Sequence, residues 1–180
     1  VTGTYIDPAA EWTGPGPRPL VVVAPGTQGQ GDQCAPSKML NHLITYTPPI
    51  GPMVEYEVLA AYSFLVQGYG VVITDYDGLG TPGAHTYVNR AAEAHAVLDA
   101  ARAAQRLSGT KISGNGPVGA YGYSQGGGAA AAAAELADEY APELDLVGTY
   151  AGAPPADLKK VLEQVDGTIL TGVIGTTLNG

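Results

Sequence analysis

Short apolar runs rich in valine and isoleucine alternate along this chain with longer stretches whose apolar residues recur every three or four positions. The short runs read as buried strands: residues 1–6, closed by Asp7-Pro8; residues 20–24, closed by Pro25-Gly26; and residues 71–75, followed by Asp77-Gly78-Leu79-Gly80. Residues 117–122, made of small side chains, and residues 144–150 complete the set. Between them, residues 53–67 have helical spacing through Val54, Val58, Leu59, Tyr62 and Leu65 and stop at Gly68. Residues 87–107 predict the longest helix, with Val88, Ala91, His95, Leu98, Arg102 and Gln105 tracing one turn-spaced row. His95, on that row, is expected to pack against the sheet, whereas His42 falls in a polar loop. Residues 125–137 predict an Ala-rich helix and residues 157–164 a shorter one, while residues 165–180 are weakly patterned.

Strands separated mainly by helices argue for a parallel or mostly parallel α/β sheet covered on both faces. Ligands of such sheets sit at the carboxyl ends of the strands. Three conspicuous loops fall there: residues 26–33, residues 75–85 and the turn around Ser124.

With 180 residues, no internal repeat and no long linker, the chain is one domain or part of one. Hydrophobic residues make up 45% and charged residues 14%, which argues against disorder and coiled coil. Eight Lys plus Arg against 17 Asp plus Glu give a net charge of −9, which repels a phosphate backbone and sets nucleic-acid binding aside. The alanine tract after Ser124 is interrupted by Glu135 and Asp138, so it does not read as a transmembrane segment. The chain starts at Val1 without a leader pattern, as a mature, excised or incomplete chain would. Its single cysteine, Cys34, rules out an internal disulfide or a multi-cysteine metal site.

Chemistry gathers at Gly122-Tyr123-Ser124-Gln125-Gly126, a G-x-S-x-G pattern between a predicted strand and a predicted helix. A serine nucleophile on such a turn needs small neighbours, which Gly122, Gly126, Gly127 and Gly128 supply, and the following helix adds its positive end. The plain alternative is a tight turn with Ser124 as a helix N-cap. A dinucleotide-binding loop would need an acidic residue ending the next strand, which is lacking. Two oxyanion donors are expected: the Gln125 amide, and the Thr27 amide on the loop after residues 20–24, with Gln28 the near alternative. Tyr123, Thr27 and Gln28 are expected to shape the substrate pocket. Asp75 and Asp77, without a third ligand, read as a strand-end turn rather than a metal site, and no cofactor is called for. Asp32 is expected to brace the oxyanion loop.

The chain resembles the lipase A-like secretory lipase family of actinobacteria and fungi. The resemblance rests on Gly26-Thr27-Gln28-Gly29 with Asp32-Gln33-Cys34-Ala35-Pro36-Ser37, on Tyr76-Asp77-Gly78-Leu79-Gly80 with His85-Thr86-Tyr87, and on Gly122-Tyr123-Ser124-Gln125-Gly126-Gly127. It continues through Ala134-Glu135-Leu136-Ala137, Tyr140-Ala141-Pro142-Glu143-Leu144 and Val147-Gly148. The resemblance implies an α/β-hydrolase fold, a secreted protein, and cleavage of carboxylic esters, commonly acylglycerols, through an acyl-enzyme. It also implies that Cys34 is half of a disulfide whose partner lies beyond Gly180.

The triad of such hydrolases runs serine, acid, histidine. Here His42, His85 and His95 all precede Ser124, and Asp138, Glu139, Glu143 and Asp145 cluster around the helix after it. The sequence is therefore expected to be the nucleophile-bearing piece of a larger hydrolase, truncated after the sixth of eight strands, with residues 157–180 opening the cap. An open sheet edge beside residues 144–150 is expected to expose apolar surface and to call for a missing C-terminal segment or partner chain. His85, in the loop after residues 71–75, is the one upstream histidine that could approach Ser124. Acyl transfer to an alcohol and a catalytically silent binding module are the alternatives to ester hydrolysis.

Overall fold

The computed structural model describes residues 1–47, 51–168 and 171–179. From the N-terminus its elements are β1 (Gly3–Ile6), β2 (Leu20–Ala24), a 3₁₀ turn (Asp32–Cys34), α1 (Pro36–Met39), β3 (Ile44–Thr47), β4 (Gly51–Val54) and α2 (Glu57–Leu65). These are followed by β5 (Gly70–Thr74), α3 (Arg90–Arg106), β6 (Val118–Tyr123), α4 (Gln125–Tyr140), β7 (Leu146–Gly152), α5 (Leu158–Val165) and α6 (Gly172–Asn179).

The five expected strands form one sheet in the order β1-β5-β2-β6-β7. Every neighbour pair is parallel except β1, which runs antiparallel to β5 at the edge. The strand expected to be the sixth of a hydrolase sheet, β7, is the fifth of this one. All five residues of both β2 and β5 are buried, as their unbroken apolar runs require in strands covered on two faces. One face, carrying Leu20, Val22, Val72 and Val118, packs on α3 and α4; the other, carrying Val21, Val23, Val71 and Ile73, packs on α2 through Ala61, Phe64 and Leu65.

Alanines let α3 and α4 lie close on the sheet: Ala94, Ala129, Ala130 and Ala133 are all fully buried. Arg102 ties the end of this layer together, donating to Glu143, Asp99 and the Tyr140 carbonyl. α3 starts three residues later than its composition suggests, because the Asn89 side chain accepts from Ala92 N–H and caps it there. The half-buried His95 ring stacks on Tyr140 of α4, at 3.7 Å between centroids.

The expected helix over residues 53–67 begins only at Glu57. Residues 51–54 pair instead with Ile44–Thr47 as a separate antiparallel hairpin, since two apolar positions beside Pro52 fit a strand period as well as a helical one. α6 forms within the weakly patterned segment. β7 is the sheet's outer strand, with Val147 and Tyr150 exposed and the Tyr150 ring stacked on Tyr121. Among the described residues no helix is long and apolar enough to cross a membrane.

The close α3–α4–sheet packing predicts that Ala133→Leu overpacks this layer and lowers stability by about 1–3 kcal/mol, read as an earlier midpoint in urea unfolding. An unchanged midpoint would show that the layer has slack.

Candidate active site

β6, between β2 and β7 in the sheet, ends at Tyr123, and α4 starts at Gln125, so a single residue, Ser124, makes the whole turn. Ser124 has φ 56° and ψ −120°, a left-handed conformation that a residue with a side chain adopts only when its surroundings hold it there. They do so from two sides: Ser124 N–H donates to the Gly152 carbonyl of β7 at 2.9 Å, and the Ser124 carbonyl accepts from Gly128 N–H at 3.1 Å. The turn is tight enough to require glycine at three neighbours, Gly122, Gly126 and Gly127. A Cβ on Gly122 would lie 2.0 Å from the Gly126 carbonyl oxygen, and one on Gly126 would lie 1.9 Å from that of Ala24. Ser124 itself remains half-buried, at the mouth of a helix whose N-terminal dipole favours negative charge.

Behind the turn, the buried Gln125 side chain spends both amide hydrogens, one on His85 Nε2 at 3.1 Å and one on Glu93 Oε1 at 2.8 Å. His85 Nδ1 lies 3.0 Å from the Asp77 carbonyl, so Nδ1 carries the ring hydrogen and Nε2 accepts from Gln125. Burial pushes the His85 pKa down and keeps the ring neutral. Burial likewise raises Glu93 to about 7, against the opposing pull of hydrogen bonds from Gln125 and Val88 N–H. Val88, a β-branched residue at φ 52°, is a second strained position beside the turn, and Tyr76, at φ 62°, is a third. Tyr76 donates to the Pro25 carbonyl at 2.8 Å.

The loop after β2 lies against this turn: an added Cβ on Gly26 would stand 3.1 Å from the Tyr123 carbonyl oxygen. Gly26 N–H is taken by Glu57 Oε1 at 2.8 Å. The N–H groups of Thr27 and Gln28 have no acceptor among the described residues. The Thr27 hydroxyl meets Tyr87 Oη at 2.7 Å, and its carbonyl accepts from Tyr56 Oη at 3.3 Å. The Gln28 side chain turns into the protein and donates to the buried Glu55 at 3.0 Å. The Ser124 turn and the loop after β2 thus meet where Gly26 approaches the Tyr123 carbonyl, and the Thr27 and Gln28 N–H groups on that loop have no acceptor among the described residues.

A family model described as secretory lipase matches residues 48–180. The chain belongs to the secretory lipase family. Among its relatives, a protein of Mycobacterium tuberculosis named as a probable inactive lipase is 33% identical over 86% of this chain and 33% of its own length. A secreted triacylglycerol lipase of Malassezia furfur is 30% identical over 89% of this chain and 31% of its own length. Lipase A of Candida antarctica, solved in a closed state, superposes with a TM-score of 0.75 at 26% identity, covering 99% of this chain and 38% of that one. The cell wall degrading esterase LipA of Xanthomonas oryzae gives 0.59 at 28% identity over 89% of this chain and 39% of that one. This secretory lipase chain has the fold of α/β hydrolases, and it spans about a third of the length of the curated relatives it matches.

Of the residues singled out in the sequence, Tyr123, Ser124 and Gln125 make the turn, with the Tyr123 side chain exposed, and the loop carrying Thr27 and Gln28 approaches that turn at Gly26. The Gln28 side chain is committed to Glu55. His85 lies near the turn, but its lone pair faces Gln125 rather than Ser124. The Asp32 side chain is exposed, and the carboxylates bonded to the loop are Glu55 and Glu57. Asp75 reaches across to the next segment, accepting from Ser37 N–H at 2.8 Å, Ser37 Oγ at 2.7 Å and Thr2 Oγ1 at 2.7 Å. Among the described residues no cluster of three His, Cys, Asp or Glu could hold a metal ion. Cys34 is buried against Gly29, which raises its thiol pKa. Sequence reading missed Glu55, Glu57 and Glu93; the available signal was acidic residues inside otherwise apolar helical stretches.

Gln125→Leu should cost about 1–3 kcal/mol, because it strips donors from buried Glu93 and His85. Losing the amide that favours ionised Glu93 raises that carboxyl further, so the penalty should be larger at pH 8, where wild-type Glu93 is charged, than at pH 5, where it is neutral in both proteins. Urea unfolding at the two values checks this. A pH-independent penalty would contradict the network.

Proposed function

We propose that this chain is the nucleophile-bearing core of a secreted carboxylic ester hydrolase acting on acylglycerol-type lipids. Ser124 Oγ attacks the ester carbonyl, losing its proton to a base. The N–H groups of Gln125 and of Thr27 or Gln28 take the oxyanion; collapse expels the alcohol, and water then hydrolyses the acyl-enzyme to free the acid and restore Ser124. The observation that carries this reading is Ser124 at φ 56° between β6 and α4, with a loop that carries unbonded N–H groups approaching the same turn at Gly26. The secreted triacylglycerol lipase among the relatives supports both the substrate class and an extracellular location. Tyr123, exposed next to Ser124, lines the acyl side of the pocket, together with the Thr27–Gln28 loop.

The base and its acid partner come from outside these 180 residues, from a further segment or a partner chain. Each histidine present is committed elsewhere: His85 to Asp77 and Gln125, His95 to the Tyr140 ring, His42 to the exposed turn after α1. A second reading, a catalytically silent member that binds lipid without turning it over, is favoured by the M. tuberculosis relative named as a probable inactive lipase.

Hydrolysis of a short-chain and a medium-chain p-nitrophenyl ester separates the two readings, with Ser124→Ala run in parallel. In a protein that pairs this core with its histidine, Ser124→Ala should lower kcat by about 10⁶. The 180-residue chain alone should retain only the residual, roughly 10³ to 10⁴-fold catalysis over water that oxyanion donors and binding provide. Equal rates for wild type and Ser124→Ala in the histidine-bearing protein would overturn the assignment.

A further inference from the structure

Glu55 and Gln28 are two buried polar side chains that satisfy only half of each other. Gln28 Nε2 donates to Glu55 Oε1 at 3.0 Å, and the same oxygen accepts from Glu57 N–H at 3.1 Å. The other two atoms of the pair, Glu55 Oε2 and Gln28 Oε1, have no hydrogen-bond partner among the described residues, although Glu55 is 0% exposed and Gln28 only 2%. Both are acceptors when Glu55 is ionised, and each is bonded to the same carbon as an atom already in the existing hydrogen bond. One proton on Oε2 turns an orphan acceptor into a donor, with Gln28 Oε1 as its acceptor. Two parallel bonds then close a ring between the acid and the amide.

The surroundings favour that proton. The titratable groups facing Glu55 are Glu57, whose Oε1 holds Gly26 N–H; Asp75, from the end of β5; and the Tyr56 phenol on the adjoining residue. None can carry positive charge. Asp75 already has three donors, whereas Glu55 Oε2 has none, so the orphan atom that a proton would satisfy is on Glu55. Burial above all, with the charges of Glu57 and Asp75 and against the hydrogen bonds from Gln28 and Glu57 N–H, raises it to about 7.

We propose that Glu55 is kept as a neutral carboxylic acid whose two-bond ring with the Gln28 amide fixes the Thr27–Gln28 loop, making it a positioning residue for the oxyanion donors. This rests on the reading of those two N–H groups as oxyanion donors. The ring holds the buried Gln28 side chain inward and so anchors the loop on which the two N–H groups lie. Ionisation of Glu55 sends the proton to solvent, breaks the Oε2–H bond to Gln28, and sets two acceptors against each other next to Glu57 and Asp75. The loop then loses one of its anchors as pH rises through neutrality.

The test needs no catalytic activity. In the 180-residue chain labelled with ¹³C and ¹⁵N, the Glu55 side-chain carboxyl, assigned through its bonds, is followed from pH 4 to pH 9 beside the backbone amide signals of Thr27 and Gln28. The expected result is a Glu55 midpoint shifted close to neutrality, with the Thr27 and Gln28 amides moving at that same midpoint. In Glu55→Gln, whose amide can keep a neutral ring with Gln28, both amides should stop titrating. A Glu55 midpoint in the ordinary range near ~4.3 overturns the proposal, as it would mean an ionised carboxylate with a buried water bridging it to Gln28. Thr27 and Gln28 amides that ignore the Glu55 titration overturn the positioning role. If those amides do follow Glu55 while the histidine-bearing protein leaves esters untouched, it is the hydrolase reading that fails and not this one.

Discussion

The structure depends on one close meeting of backbones, where β6 turns into α4 at Ser124. The helix has to leave the sheet without a loop, so Gly122 and Gly126 must lie against other main-chain carbonyls, where any side chain would collide. The strained φ of Ser124 is the residue of that geometry, and the Gly152 carbonyl of β7 and Gly128 N–H keep it in place. The rest of the packing serves this approach. Alanine replaces larger side chains along α4 so that the helix can stay as close to the sheet as its first turn demands.

A second physical theme is buried acid without buried base. Glu55, Glu57, Glu93 and Asp75 all lie inside around the two loops that flank Ser124, and the donors they meet are amides, hydroxyls and backbone N–H groups rather than Lys or Arg. Desolvation therefore raises Glu55 and Glu93 to about 7, while neutral His85 sits beside Gln125. Such networks are costly when half satisfied and rigid when complete. One set, Glu55 and Glu57, holds the loop after β2, and the other, Glu93 with His85 and Gln125, backs the turn at Ser124.

Much of this was legible in the residues. The runs at 20–24 and 71–75 became fully buried strands because their patterns admit no exposed face, and the glycines around Ser124 announced a tight strand-to-helix turn. What failed was decided by tertiary contact or by ambiguous period. Val54 fits a strand as well as a helix, and residues 51–54 pair in the hairpin. At the site, Asp32 looked like the brace because it is near in sequence, while the true braces, Glu55 and Glu57, come from about thirty residues away. No periodicity reports a buried carboxylate whose partner lies on another loop.

The central claim is that Ser124 forms the covalent intermediate, and the most direct measurement is acid-quenched mass spectrometry of the histidine-bearing protein during turnover of a p-nitrophenyl ester. The account predicts an acyl group on the peptide containing Ser124, gone in Ser124→Ala. Steady turnover with the acyl group on another residue, or with Ser124 never acylated, would contradict it.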